Sequence, residues 1–212
     1  MFKWLKGLFV KKEQKNKRKK VLAILSEDRC GKSQLADFLT HNLDNLNLEL
    51  KMPACELFNF GDDLKDSYIK LTGSNIEELN DCKNGIKKCK YHKNHSNCRD
   101  GVIQYSNIKK ERHGKDFFTK KTINRILKSN KDFLIIADLR FLIEAKLLKE
   151  NFDVNIVKVI SDLDTCGKNN QRYELDLIEY DTILHIKKVE ELTTEKYIKM
   201  LDVNELNKVI NF

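Results

Sequence analysis

Three consecutive residues, Gly31-Lys32-Ser33, carry the most specific chemistry in this chain. They follow an apolar run, Val21 to Leu25, and precede an amphipathic pattern with Leu35, Ala36, Phe38 and Leu39. That order reads as a buried strand, a tight polar loop and a helix. At such a junction the loop amides and the first helical turn converge on one spot, and the helix dipole favours negative charge there. A lysine in this place neutralises terminal phosphates, and a serine hydroxyl ligates Mg²⁺. Cys30, Gly31, Lys32, Ser33 and Gln34 are therefore candidates to hold the phosphates of a nucleotide, with Lys32 also acting in catalysis. The complete pattern is G-x-x-x-x-G-K-[ST], and Ser26 stands where its first glycine is expected. The alternative is an incidental Gly-Lys-Ser turn; the flanking strand and helix argue against it.

A second position follows the run Asp132 to Ala137 (DFLIIA), whose continuous apolar character marks a strand buried on both faces of a parallel sheet. The run ends at Asp138. A carboxylate at the C-terminal end of a central strand is placed to hold Mg²⁺ beside a nucleotide. The alternative is an Asp that caps the following helix. Arg140 has the geometry to clamp a phosphate bidentately, or else to form a surface ion pair with Glu144 one turn on.

The third cluster is Cys82, Cys89, His92 and Cys98, with His95 as a rival. Thiolates and imidazoles in this number suit a tetrahedral Zn²⁺ site, although C-x₆-C-x₂-H-x₅-C is not a standard finger. A reduced loop in a lysine-rich insertion is the other reading.

These positions need a scaffold. The chain has 212 residues, a net charge of +8 and a single proline, Pro53. Its length fits one domain of residues 21–212 with an insertion at about 74–99, preceded by a basic tail of residues 1–20. Predicted strands at Val21–Leu25, about 48–51, Val154–Ile160 and Tyr180–Ile186 join the one at Asp132–Ala137. Predicted helices run to about Asn42, from an opening stretch Leu57–Asp66 to about Leu71 with a stop at Thr72-Gly73, from Gly101 to Lys110, from Phe117 to Lys128, after Phe141 and from Val189 to Val209. Strands alternate with helices, so a three-layer α/β/α fold around a central, mostly parallel sheet is expected. Residues Ser74 to Arg99 carry little periodicity and are read as irregular.

The basic balance suits anionic partners. No apolar run is long enough to span a membrane, and six cysteines without a signal peptide point to a reducing, cytoplasmic setting. The tail MFKWLKGLFV followed by a polybasic run reads either as a membrane-surface or partner-docking helix or as an extension without a role.

Ordered blocks across Val21 to Leu192 make the chain resemble the phage-type deoxynucleoside monophosphate kinases of the P-loop kinase superfamily. Phe60-Gly61-Asp62-Asp63-Leu64-Lys65 is similar to the family's F-A-D-P-L-K, with Asp63 in place of proline. Arg99 to Phe118 resembles R-x-x-L-I-E-Y-G-x-x-x-R-x-x-x-x-x-D-x-[FYW]. Asp138-Leu139-Arg140-Phe141 with Glu144 resembles D-[VL]-R-[FY]-x-x-E, and Glu174 to Ile186 resembles the family's C-terminal segment, with His185 where asparagine is common. The resemblance implies ATP- and Mg²⁺-dependent phosphoryl transfer to a (deoxy)nucleoside monophosphate. It places Asp62, Lys65 and Arg99 at the acceptor and gives Arg140 a charge-neutralising role. Gln104, Tyr105 and Asn107 fall on one helix and are candidates to read a base or ribose, with packing as the alternative for Tyr105. Arg172 is expected near the adenine of ATP. A homodimer is compatible with this picture. Two other readings stay open: a related kinase acting on a hydroxymethylated base in DNA, and a P-loop protein that binds nucleotide without catalysis.

Overall fold

The computed structural model describes residues 18–27, 30–41, 54–83, 98–161, 174–186 and 209. The predicted strand at 48–51, nearly all of the predicted C-terminal helix, the basic tail before residue 18, and Cys89, His92, His95 and Arg172 lie outside them.

Five parallel strands form one sheet in the order β2-β3-β1-β4-β5. They are β1 (Lys20–Leu25), β2 (Cys55–Phe58), β3 (Phe133–Leu139), β4 (Asp153–Ser161) and β5 (Thr182–Ile186). The helices are α1 (Lys32–His41), α2 (Phe60–Thr72), α3 (Ile76–Lys83), α4 (Cys98–His113), α5 (Phe117–Lys128) and α6 (Leu142–Asn151). This is a mixed α/β architecture compatible with three layers.

Central β1 explains why its sequence is uniformly apolar: Val21 to Leu25 are fully buried between two helical layers. Leu22 and Ile24 face α1, where Leu35, Ala36, Phe38 and Leu39 complete one core with Ile135 and Val157. Val21, Ala23 and Leu25 face the other way, against Ile123 and Ile126 of α5 and Ala145 and Leu148 of α6. A smaller cluster of Tyr68, Leu79, Cys82 and Cys98 joins α2, α3 and α4 away from the sheet.

The chain crosses from β1 to one side of the sheet to make β2, and from β3 to the other side to make β4. Oppositely directed connections leave a crevice outside the C-terminal ends of the adjacent strands, here β1 and β3. The register there is irregular. Ala23 pairs with Ile136 and Leu25 with Leu139, so β3 carries one residue more than β1 over this interval. The bulge lies at Ala137–Asp138 and returns Leu139 to the same core as Leu134 and Ile136.

Three local features depart from the sequence expectations. The strand ahead of α2 is Cys55–Phe58, a four-residue edge strand. The segment read as irregular contains α3, which buries Leu79 and Cys82. Helix α4 begins at Cys98 and runs to His113, longer at both ends than expected. By contrast α2 stops where foreseen: Gly73, at φ 68°, donates its amide to the Ile69 carbonyl at 2.8 Å.

Candidate functional site

The loop after β1 returns directly into α1. Gly31 adopts φ 86°, and a Cβ there would lie 3.0 Å from Cδ1 of Ile186 at the end of β5, so both backbone angle and space favour glycine. Lys32 is buried, and its ammonium donates to the Glu27 carbonyl at 2.9 Å. The Ser26 hydroxyl donates to the same carbonyl, also at 2.9 Å. Ser26 is itself buried and helps close the loop. Ser33 and Gln34 are exposed on the first turn of α1, which contains no acidic residue. The pairing of Leu25 with Leu139 brings this loop and the segment Asp138–Phe141 to the same end of the sheet.

Asp138 does not cap the helix that follows it. Its Oδ1 accepts the Phe60 amide at 2.7 Å and its Oδ2 accepts the Gly61 amide at 3.1 Å, so it closes the start of α2. Burial pushes its carboxyl above the ordinary range, with Asp62 adding to the rise; the two amides and Arg140 oppose it. The first turn of α6 is finished by two other carboxylates. Glu144 Oε2 accepts the amides of Arg140 at 2.9 Å and Phe141 at 3.0 Å, and Glu174 Oε2 accepts the Leu142 amide at 2.8 Å. The Phe141 carbonyl in turn accepts the Glu144 amide at 3.0 Å. This reciprocal arrangement accounts for the spacing of Phe141 and Glu144. Burial pushes the Glu144 carboxyl up to about 8, with Asp138 adding and the Arg140 and Phe141 amides opposing.

A cleft of about 890 Å³ opens beside these groups, bounded by the start of α2, one face of α4, the start of α5 and the segment Asp138–Glu144. Phe60, Leu64, Phe118, Phe141 and Ile143 give it an apolar wall. Ser106, Asn107, Lys110 and Glu111 give it a polar one, and Arg140 and Glu174 also line it.

The residues expected at an acceptor, Asp62, Lys65, Arg99, Gln104 and Tyr105, are not among those that line this cleft. Asp62 pairs with Lys65 at 3.2 Å on α2, beside the lining residues Gly61 and Leu64. Lys65 Cε lies 3.8 Å from the Cβ position of Gly61. Arg99 is half-buried in the first turn of α4. Gln104 is exposed, while Tyr105 packs edge-on against Tyr68, with ring centroids 5.8 Å apart, and near Phe118 at 6.4 Å. Of the α4 trio, Asn107 is the one that lines the cleft. Asp63, at the position where the resemblance expects proline, faces α5: its Oδ2 accepts from Thr122 at 2.9 Å and pairs with Arg125 at 3.1 Å.

Cys82 and Cys98 meet in a disulfide with Cα atoms 5.6 Å apart, and the Cys98 amide donates to Cys82 Sγ at 3.1 Å. The pairing departs from the reducing setting read from the sequence. Among the described residues no three His, Cys, Asp or Glu side chains gather as a metal site, and no helix is long and apolar enough to cross a membrane.

The sequence reading missed Glu111 and did not foresee that Glu144 and Glu174, which it named only in other connections, accept the first amides of α6. The i, i+4 spacing of Asn107 and Glu111 was the available signal for the first. No protein-family model matches the chain, and no curated protein is significantly similar to it.

Proposed function

We propose that the protein is a P-loop kinase that transfers a phosphoryl group from ATP to a (deoxy)nucleoside monophosphate. The observation that carries this reading is the shared end of β1 and β3: the Gly31-Lys32-Ser33 turn and the Asp138–Arg140 segment stand there together, beside a cleft of nucleotide size. ATP phosphates belong at the turn. Lys32 would leave the Glu27 carbonyl for them, and Arg140, which lines the cleft, would hold charge during an in-line transfer. Mg²⁺, when bound, would supply charge neutralisation for the phosphates. Ser33 is exposed on the first turn of α1 and suits direct ligation. Both Asp138 oxygens already accept amides, so its fit is to metal-bound water rather than to the ion itself. The Phe118 and Phe141 rings suit the base of the acceptor.

A coupled ATP-consumption assay against the deoxynucleoside monophosphates, with and without DNA, tests the reading. Turnover with a free monophosphate is expected. Turnover with modified DNA alone would move the acceptor to the polymer, and ATP binding without turnover would leave a non-catalytic protein.

The cysteine segment is read as a zinc staple on the outer lobe. Cys82 and Cys98 already adjoin, and an N–H donor on Cys82 Sγ suits a thiolate; Cys89 and His92 would complete the set. Chain purified under reducing conditions should carry one zinc, lost in Cys89→Ser. Absence of metal removes the staple and leaves the disulfide.

A further inference from the structure

Charge is spread unevenly along this chain. Residues 1–20 hold nine Lys or Arg and one Glu, which accounts for the whole net charge of +8, so residues 21–212 balance. Within that balanced body, residues 109–131 hold nine Lys or Arg against Glu111 and Asp116 alone. They span the end of α4, the whole of α5 and the residues just after it. On α5, Phe118, Thr119, Thr122, Ile123 and Ile126 are buried, which leaves Lys120, Lys121, Asn124, Leu127 and Lys128 exposed on the outer face. Asp116 is taken by Lys120 at 2.7 Å, and Arg125 by Asp63. Arg112, Lys115, Lys121 and Lys128 form no ion pair among the described residues.

The second basic segment joins the fold at the same place. The Lys19 ammonium donates to the Ile126 carbonyl at 3.1 Å and to the Ser129 carbonyl, at the C-terminal end of α5. The segment that precedes Lys19 therefore enters the fold beside Lys128. In sequence that segment is the polybasic run from Lys11, with Phe2, Trp4, Leu5, Leu8 and Phe9 ahead of it.

We propose that the outer face of α5, together with this tail, docks the protein on an anionic lipid bilayer. Lysines attract acidic headgroups, and apolar and aromatic side chains enter the interface. A single-stranded nucleic acid is the other polyanion that a lysine face could meet, but it binds by stacking bases on aromatic rings as well as by charge. On α5 the half-buried ring of Phe117 is already stacked on His113, with centroids 4.7 Å apart, and lies under the Lys121 ammonium at 4.9 Å. The apolar residues of the tail match lipid instead. Lys121 and Lys128 do not line the cleft, so this surface is separate from the proposed phosphoryl-transfer site.

The test sediments the full chain with vesicles of phosphatidylcholine, with and without phosphatidylserine. Binding should require phosphatidylserine and fall as salt rises. Lys121→Glu with Lys128→Glu, which leaves the tail intact, should weaken it by about 10-fold or more, and the milder Lys121→Gln with Lys128→Gln by about fivefold. Trp4→Ser with Phe9→Ser, which leaves α5 intact, should weaken it by about 10-fold. Unchanged binding of both lysine pairs overturns the proposal, as does equal binding to phosphatidylcholine alone. A single-stranded oligonucleotide is titrated in parallel by fluorescence anisotropy. Oligonucleotide binding that depends on Lys121 and Lys128, in a protein that does not sediment with the vesicles, would assign the face to nucleic acid and overturn the lipid reading.

Discussion

Helices α1, α2 and α6 all begin at the same end of the sheet, yet their first turns are finished in opposite ways. Asp138 closes α2, and Glu144 with Glu174 closes α6. At α1 the first turn has no acid, and the side chain buried there is the cation Lys32. A cation at a helix N-terminus works against the helix dipole, whereas carboxylates at α2 and α6 work with it. The chain thus places carboxylates at two helix starts and a buried lysine at the third. The contrast separates two starts with structural acceptors from the one at which the proposed phosphate site would lie.

Replacing Lys32 with Ala is the sharpest way to break that contrast. Transfer should fall by about 10³-fold or more while the fold persists, as seen by circular dichroism. Transfer retained at wild-type rate would remove the functional half of the comparison.

The carboxylate side is tested by pH. In the unfolded chain Glu144 titrates near its ordinary 4.5, and in the fold near about 8. Between those values the native state keeps a proton that the unfolded state has released. Stability therefore declines as pH rises through this window, by as much as ~1.4 kcal/mol per pH unit, and the penalty is complete above it. Both amides go to Oε2, which leaves Oε1 to carry the proton. Glu144→Gln stays neutral and keeps an acceptor, so urea midpoints measured from pH 5 to pH 9 should flatten. A variant with an unchanged pH profile would assign the effect elsewhere.

Asp138→Ala should cost about 2 kcal/mol in urea unfolding, since two buried amides lose their acceptor. A loss of activity without any loss of stability would make Asp138 functional and not structural, and so blur the distinction between α1 and α2. The smallest effect is expected at Asp63. Its contacts with Thr122 and Arg125 hold α2 to α5, and Asp63→Ala should cost about 1 kcal/mol while leaving the KM for the acceptor unchanged. A raised KM would mean that the residue reaches the cleft after all.

Much of the scaffold was legible because buried strands leave long apolar runs: Val21–Leu25 and Phe133–Ala137 each lie under two layers. Gly73 was legible because a left-handed helix end favours glycine. The edge strand Cys55–Phe58 was not, since four residues with one fully buried side chain give no period to read. Helix α3 hid for a similar reason; it buries Leu79 and Cys82 and is otherwise polar. At the site, the Gly31-Lys32-Ser33 turn was plain from local sequence. The partners of Asp138 were not, because the amides it accepts lie 78 and 77 residues away. Tyr105 shows the limit of helix-face reasoning: tertiary packing against Tyr68 used it, while Asn107, two positions on, faces the cleft.

The extra residue in β3 places the Asp138 link outside the reach of most single substitutions. Side chains on a strand alternate, so one added residue acts as a phase shift for everything downstream. Exchanging Ala137 for another small residue leaves that phase intact. Deleting it would put Asp138 across from Ile24 in regular register, on the face that packs against α1, while Leu139 stays opposite Leu25 in its core. The connection between the β3 end and the α2 start is therefore protected against drift in residue type and exposed to drift in length. Along this strand, the mutation that separates the two helix starts from the loop beside them is a one-residue gap.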